Sequence, residues 1–139
     1  MNQFWQTYSR QIAFAGAVGV GLALFLWPDR KPVPEVLDNV YCAAEAAALH
    51  EYADQRATSG EPLDPTVAER VTAHNDQAQD YLRGLRRRDD PAVVQIPVDI
   101  ASARTTRDAT LARDPDGYVD DVLSRIDICV PKLSAVSSL

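Results

Sequence analysis

The sequence predicts an all-α protein: a single N-terminal transmembrane helix followed by a small, disulfide-stapled four-helix bundle. Three observations carry this. Residues 12–27, "IAFAGAVGVGLALFLW", contain no charge. The pair Asp-Pro recurs at Asp64-Pro65, Asp90-Pro91 and Asp114-Pro115, and it suits a helix start because aspartate caps well and proline fits the first turn. Two cysteines, Cys42 and Cys129, lie near the two ends of the remaining chain. The expected organisation is an anchor with a short tail over 1–31, an extracytoplasmic bundle over 32–133 and a frayed tail over 134–139.

The apolar core spans 16 residues, which at ~1.5 Å per residue falls short of a ~30 Å hydrocarbon layer. Extending the helix back through "FWQTYSRQ" corrects this. Trp5 and Tyr8 then mark one interface and Trp27 the other, with Arg10 reaching outward. Pro28, Pro32 and Pro34 end it. A cleaved signal peptide would need a basic start and a small-residue cleavage site, whereas this chain opens "MNQFWQTYSR" and leaves the stretch at Trp-Pro. A retained anchor is the expectation.

Within the anchor, Ala15, Gly19 and Ala23 form one row at i, i+4, i+8, and Ala13, Ala17 and Gly21 form a second. Such rows let helix backbones approach closely in lipid, so contact with other integral membrane subunits is expected. Arg10 and the amino terminus on one side nearly balance Arg30 and Lys31 on the other, leaving the positive-inside count close to a tie with a slight lean toward a cytoplasmic carboxyl side.

In the bundle, the first helix is expected over about 35–59, alanine-rich and closed by Gly60. The second, about 65–88, carries Val67, Val71, His74, Ala78, Tyr81 and Leu85 as one apolar stripe. Pro97 predicts an extended or kinked start to the third, with helix from about 98 to 112. The fourth, about 115–130, presents Val119, Val122, Leu123, Ile126 and Cys129, and Pro131 is expected to end it. The only aromatics after Trp27 are Tyr41, Tyr52, Tyr81 and Tyr118, so the core is expected to be thin.

In an up-down-up-down bundle the chain returns to its starting end, which brings Cys42 and Cys129 together. The alternative is two buried free thiols. A disulfide favours an oxidising compartment, and this tips the expected topology to the periplasmic or other extracytoplasmic side of a bacterial inner membrane. The bacterial source is suggested by 12 arginines against 2 lysines and by abundant alanine.

All 20 acids but only 13 of the 14 bases follow Trp27, giving that part a formal charge of −7. Such a field repels nucleic acid and anionic lipid and favours a basic partner, for example a soluble electron carrier. The only histidines, His50 and His74, lie equally far from the first turn, and with Asp54 they outline a low-specificity ligand or metal level; neither follows a glutamate three residues earlier, and no haem-attachment motif is present. "DPDGYVDD" at 114–121 lacks the register and closing glutamate of a calcium loop. Arg83, Arg86, Arg87 and Arg88 are able to clamp phosphate, but at a helix C-terminus they are expected to complement the dipole and pair with Asp89 and Asp90. No nucleophile triad or phosphate loop is present, so neither enzymatic activity nor a cofactor is expected. The expected function is an accessory or assembly subunit of a membrane complex; the alternative is a free-standing, membrane-anchored sensor or ligand-binding domain.

Overall fold

The computed structural model describes residues 31–136. The stretch at 12–27, including Ala13, Ala15, Ala17, Gly19, Gly21 and Ala23, lies outside the described residues. Among the described residues, no helix is long and apolar enough to cross a membrane. The compact unit that begins at Lys31 is all-helical among those residues: α1 (Pro34–Thr58), α2 (Pro65–Arg87), a short 3-10 helix (Pro91–Gln95), α3 (Ile96–Arg113) and α4 (Tyr118–Val136).

The helix ends follow local chemistry. Gly60 at φ +85° closes α1, where the Gly60 and Glu61 amides bond the Ala57 and Arg56 carbonyls at 3.2 and 2.9 Å. That is the paired-bond left-handed cap that glycine accommodates best. Asp64 opens α2, its Oδ1 accepting from the Thr66 and Val67 amides at 3.0 and 3.4 Å. The same left-handed cap closes α2, but Asp89, at φ 49°, stands where glycine is usual, and the Asp90 amide reaches the Leu85 carbonyl at 3.1 Å. Asp90 then caps the 3-10 helix through the Ala92 amide at 2.9 Å.

Three expectations require correction. Pro97 does not interrupt α3: the 3-10 helix runs directly into it and Pro97 occupies its first turn, where no amide bond is lost. The third Asp-Pro pair does not start α4 at residue 115. Asp114 Oδ1 accepts the Gly117 amide at 3.0 Å instead, residues 115–117 form a turn, and the helix begins at Tyr118. A Cβ at Gly117 would collide with the Asp114 carboxylate, so this close turn requires glycine. Finally, α4 continues through Pro131 to Val136, taking in part of the tail expected to fray. Val130 and Leu133, both fully buried, hold the helix against the core on either side of the proline, while Pro131 itself faces solvent.

Helix α1 is the shared partner of the others. One side packs Val40, Ala43, Ala46 and Leu49 against Val71, Tyr81, Leu82 and Leu85 of α2 and Val122, Leu123, Ile126 and Val130 of α4. Another side packs Ala44 and Ala48 against Ala103 of α3, beside Ile100. The arrangement is thus a three-helix core of α1, α2 and α4, with α3 laid on the remaining face of α1 and in lesser contact with α4. It is not the evenly sided ring the alternating chain directions suggest. The reason lies in α1: a helix apolar on opposite faces must be covered on both.

Candidate functional site

Because α3 and α4 both rest on α1 yet touch each other little, a cleft of about 600 Å³ opens between them. Its floor is Asp38, Tyr41, Cys42 and Glu45 from α1; its walls are Thr106 and Thr110 from α3 and Asp121, Arg125 and Cys129 from α4. The Cys42–Cys129 disulfide, with Cα atoms 6.2 Å apart, ties the floor to one wall. The expected pairing is therefore present, and α1 meets α4 in antiparallel register around it.

Above the disulfide, Arg125 spans floor and wall. Its Nε and Nη2 donate to Glu45 Oε1 at 3.1 and 2.9 Å, and Nη1 donates to Asp121. Burial works against its charge, but these carboxylates more than restore it, and its pKa rises. Opposite, Arg104 Nε donates to Glu51 Oε2 at 2.9 Å and Arg107 Nη1 to the same oxygen at 3.2 Å. Arg107 is largely buried and also donates to Asp108 at 2.9 Å. The Arg104 hydrogen bond holds the Glu51 carboxyl below its ordinary pKa. Tyr118 stacks edge-on against Tyr52 with ring centres 5.3 Å apart, and burial pushes its hydroxyl up to about 12.

The histidines are drawn to different carboxylates. His50 Nδ1 lies 3.5 Å from Asp54 within α1, whereas His74 Nε2 lies 2.7 Å from Asp127 of α4, which also pairs with Arg70. His50, His74 and Asp54 are thus not brought together as one ligand set. Among the described residues no group of three or more histidine, cysteine or acidic side chains is placed to hold a metal. In the run at 114–121, Asp114 holds the turn before α4, while Asp121 lies within α4 and pairs with Arg125. Arg83 pairs with Asp80, and not with the acids that follow it, since Asp90 is occupied as a cap.

Sequence reasoning missed Glu45, Glu51, Arg104, Arg107, Arg125 and Asp127. A signal existed for two of them: Arg104 and Arg107, three residues apart, fall on the face of α3 that also carries Ile96, Ile100 and Ala103.

Charge is segregated along the bundle. The end where α1 begins, α2 and α4 finish and α3 starts (residues 31–38, 80–99 and 129–133) holds six bases and six acids. The remainder, 39–79 and 100–128, holds six bases and thirteen acids, so the whole of the −7 lies there. Compared with protein families, curated proteins and solved structures, the chain finds no match in any of them.

Proposed function

We propose that the chain is an accessory or assembly subunit of a membrane complex, anchored by residues 12–27 and acting by contact, with its helical domain on the extracytoplasmic side. The observation that carries this reading is the charge segregation: net charge is zero at the end where α1 begins and −7 beyond it. A protein that meets its partner through its outward end concentrates its steering field there, and an acidic field accelerates encounter with a basic partner. The disulfide supports an oxidising compartment, because such bonds persist there.

Detergent-stable co-purification of the full chain tests the reading. Gly19→Leu inserts a branched side chain into the small-residue row, so integral membrane partners should be lost while insertion is retained. Asp116→Lys with Asp120→Lys, both exposed, should weaken a soluble partner in a salt-sensitive way. Full recovery of every partner in all variants would refute the proposal.

A second reading, a ligand-binding or sensory domain, is favoured by the cleft: about 600 Å³ with the hydroxyls of Tyr41, Thr106 and Thr110 at its lining. It is centred on the disulfide side of α1 and not at the histidines. Saturable protection of the domain against unfolding by a small polar ligand, lost in Thr106→Val, would favour it.

A further inference from the structure

We propose that the end of the bundle where α1 begins is a lipid-facing surface, which rests on the bilayer surrounding the anchor. Four large hydrophobic side chains remain exposed among the described residues, and three of them belong to this end: Val33, just before α1, at 58%; Val94, in the 3-10 helix, at 76%; and Val98, in the first turn of α3, at 55%. The fourth, Ile128, stands about two turns from the end of α4. Core packing leaves no reason for a valine to be three-quarters exposed on a five-residue turn whose Ala92 is fully buried.

The charges at this end balance, six bases against six acids, and several of the bases are available to phospholipid phosphate. Arg86, Arg87 and Arg88 close α2 at the same end, all exposed and with no ion pair to any described residue, and Lys132 is exposed at the foot of α4. Apolar side chains at acyl depth flanked by bases at headgroup depth are the arrangement of an interfacial surface. The repulsion of anionic lipid expected from the total charge belongs only to the outward part, which holds the entire excess of acid.

Chain length identifies the occupant. Val33 comes six residues after Trp27, and an extended chain reaches at most ~3.6 Å per residue, or about 22 Å. If residues 12–27 span a bilayer, this end cannot leave the headgroup layer by more than that. The inference therefore rests on the anchor proposed above, and its test separates the two.

The full chain, with its disulfide intact, is placed in phosphatidylcholine vesicles with and without phosphatidylglycerol. An environment-sensitive dye is attached at Val94→Cys or, for comparison, at Asp116→Cys on the outward end; both positions are exposed, so neither substitution touches the core. Headgroup-depth spin-labelled lipid should quench the dye at 94 several-fold and leave the dye at 116 unaffected. Quenching at 94 should deepen with phosphatidylglycerol, and Arg86→Gln with Arg87→Gln should abolish that dependence. An unquenched dye at 94 in chain that resists alkaline extraction overturns the inference and leaves the anchor standing. Equal quenching at both positions overturns it as well, since the bundle would then lie on its side. Extraction of the chain from the vesicles overturns both readings.

Discussion

Removing the disulfide by Cys42→Ala with Cys129→Ala should cost the domain about 4–5 kcal/mol. The magnitude comes from the 87-residue separation of the bonded cysteines: the entropy that such a cross-link removes from the unfolded chain, close to −15 cal/mol/K, is worth about 4.6 kcal/mol at room temperature. Neither alanine adds an offsetting contact, and loss of the buried Cys42 sulfur adds a small packing deficit. A domain of this size stands to lose a large share of its total stability, and its melting temperature should fall by about 20 °C. Urea unfolding of the oxidised protein, the reduced protein and the double variant, followed by helical circular dichroism, measures this directly. Reduced and double-variant protein should behave alike. A difference from the oxidised protein below about 1 kcal/mol would refute the chain-entropy reasoning, and it would mean that the packing of α1 on α4 already constrains the unfolded ensemble.

Glu51 has a depressed pKa, so the folded state favours its ionised form. Its contribution is complete above the ordinary value near 4.5 and is lost as pH falls through the lower folded value. Glu51→Gln should therefore flatten the acid limb of stability against pH, and an unchanged limb would show that Arg104 and Arg107 hold no special partner in Glu51. Ala103→Leu should destabilise by about 1–3 kcal/mol, because Ala103 is buried against Ala44 and Ala48 and the space beside it holds only about 10 Å³, less than the added side chain needs; it should also erase the Glu51 acid dependence by lifting α3 off α1. Asp89→Gly should stabilise by about 1 kcal/mol by relieving the left-handed backbone at φ 49°, and a loss in thermal unfolding would mean that the Asp89 side chain holds α2 in some other way.

What could be read from the sequence was local chemistry. Asp64 and Asp90 behave as caps and Gly60 ends α1, because each effect is settled within four residues of chain. The alternating directions of short-looped helices were sufficient to pair Cys42 with Cys129. What could not be read was set by distant burial. Pro131 breaks an isolated helix, yet Leu133, buried against the core, draws α4 past it. Asp114 has the same neighbour as Asp64, but its carboxylate turns to Gly117, a choice made by the space that glycine leaves. The apolar stripe of α2 is continuous, whereas α1 presents alanine on opposite sides, and alanine does not reveal which face meets which helix. The cleft between α3 and α4 depends on how those faces are covered, as do the ion pair of Glu45 in its floor and that of Glu51 with α3.

The central position of α1 bears on the order in which the molecule comes into being. Of the four described α-helices, the one that contacts all the others is made first, and the one that completes its covering is made after the rest. During synthesis α1 can settle with α2 and later with α3, but the groove for α4 stays open until α4 itself has been made. Cys42 has no native partner throughout that interval. The disulfide is thus a late covalent record that α4 has docked, and a chain truncated before Cys129 would carry an unpaired thiol at Cys42.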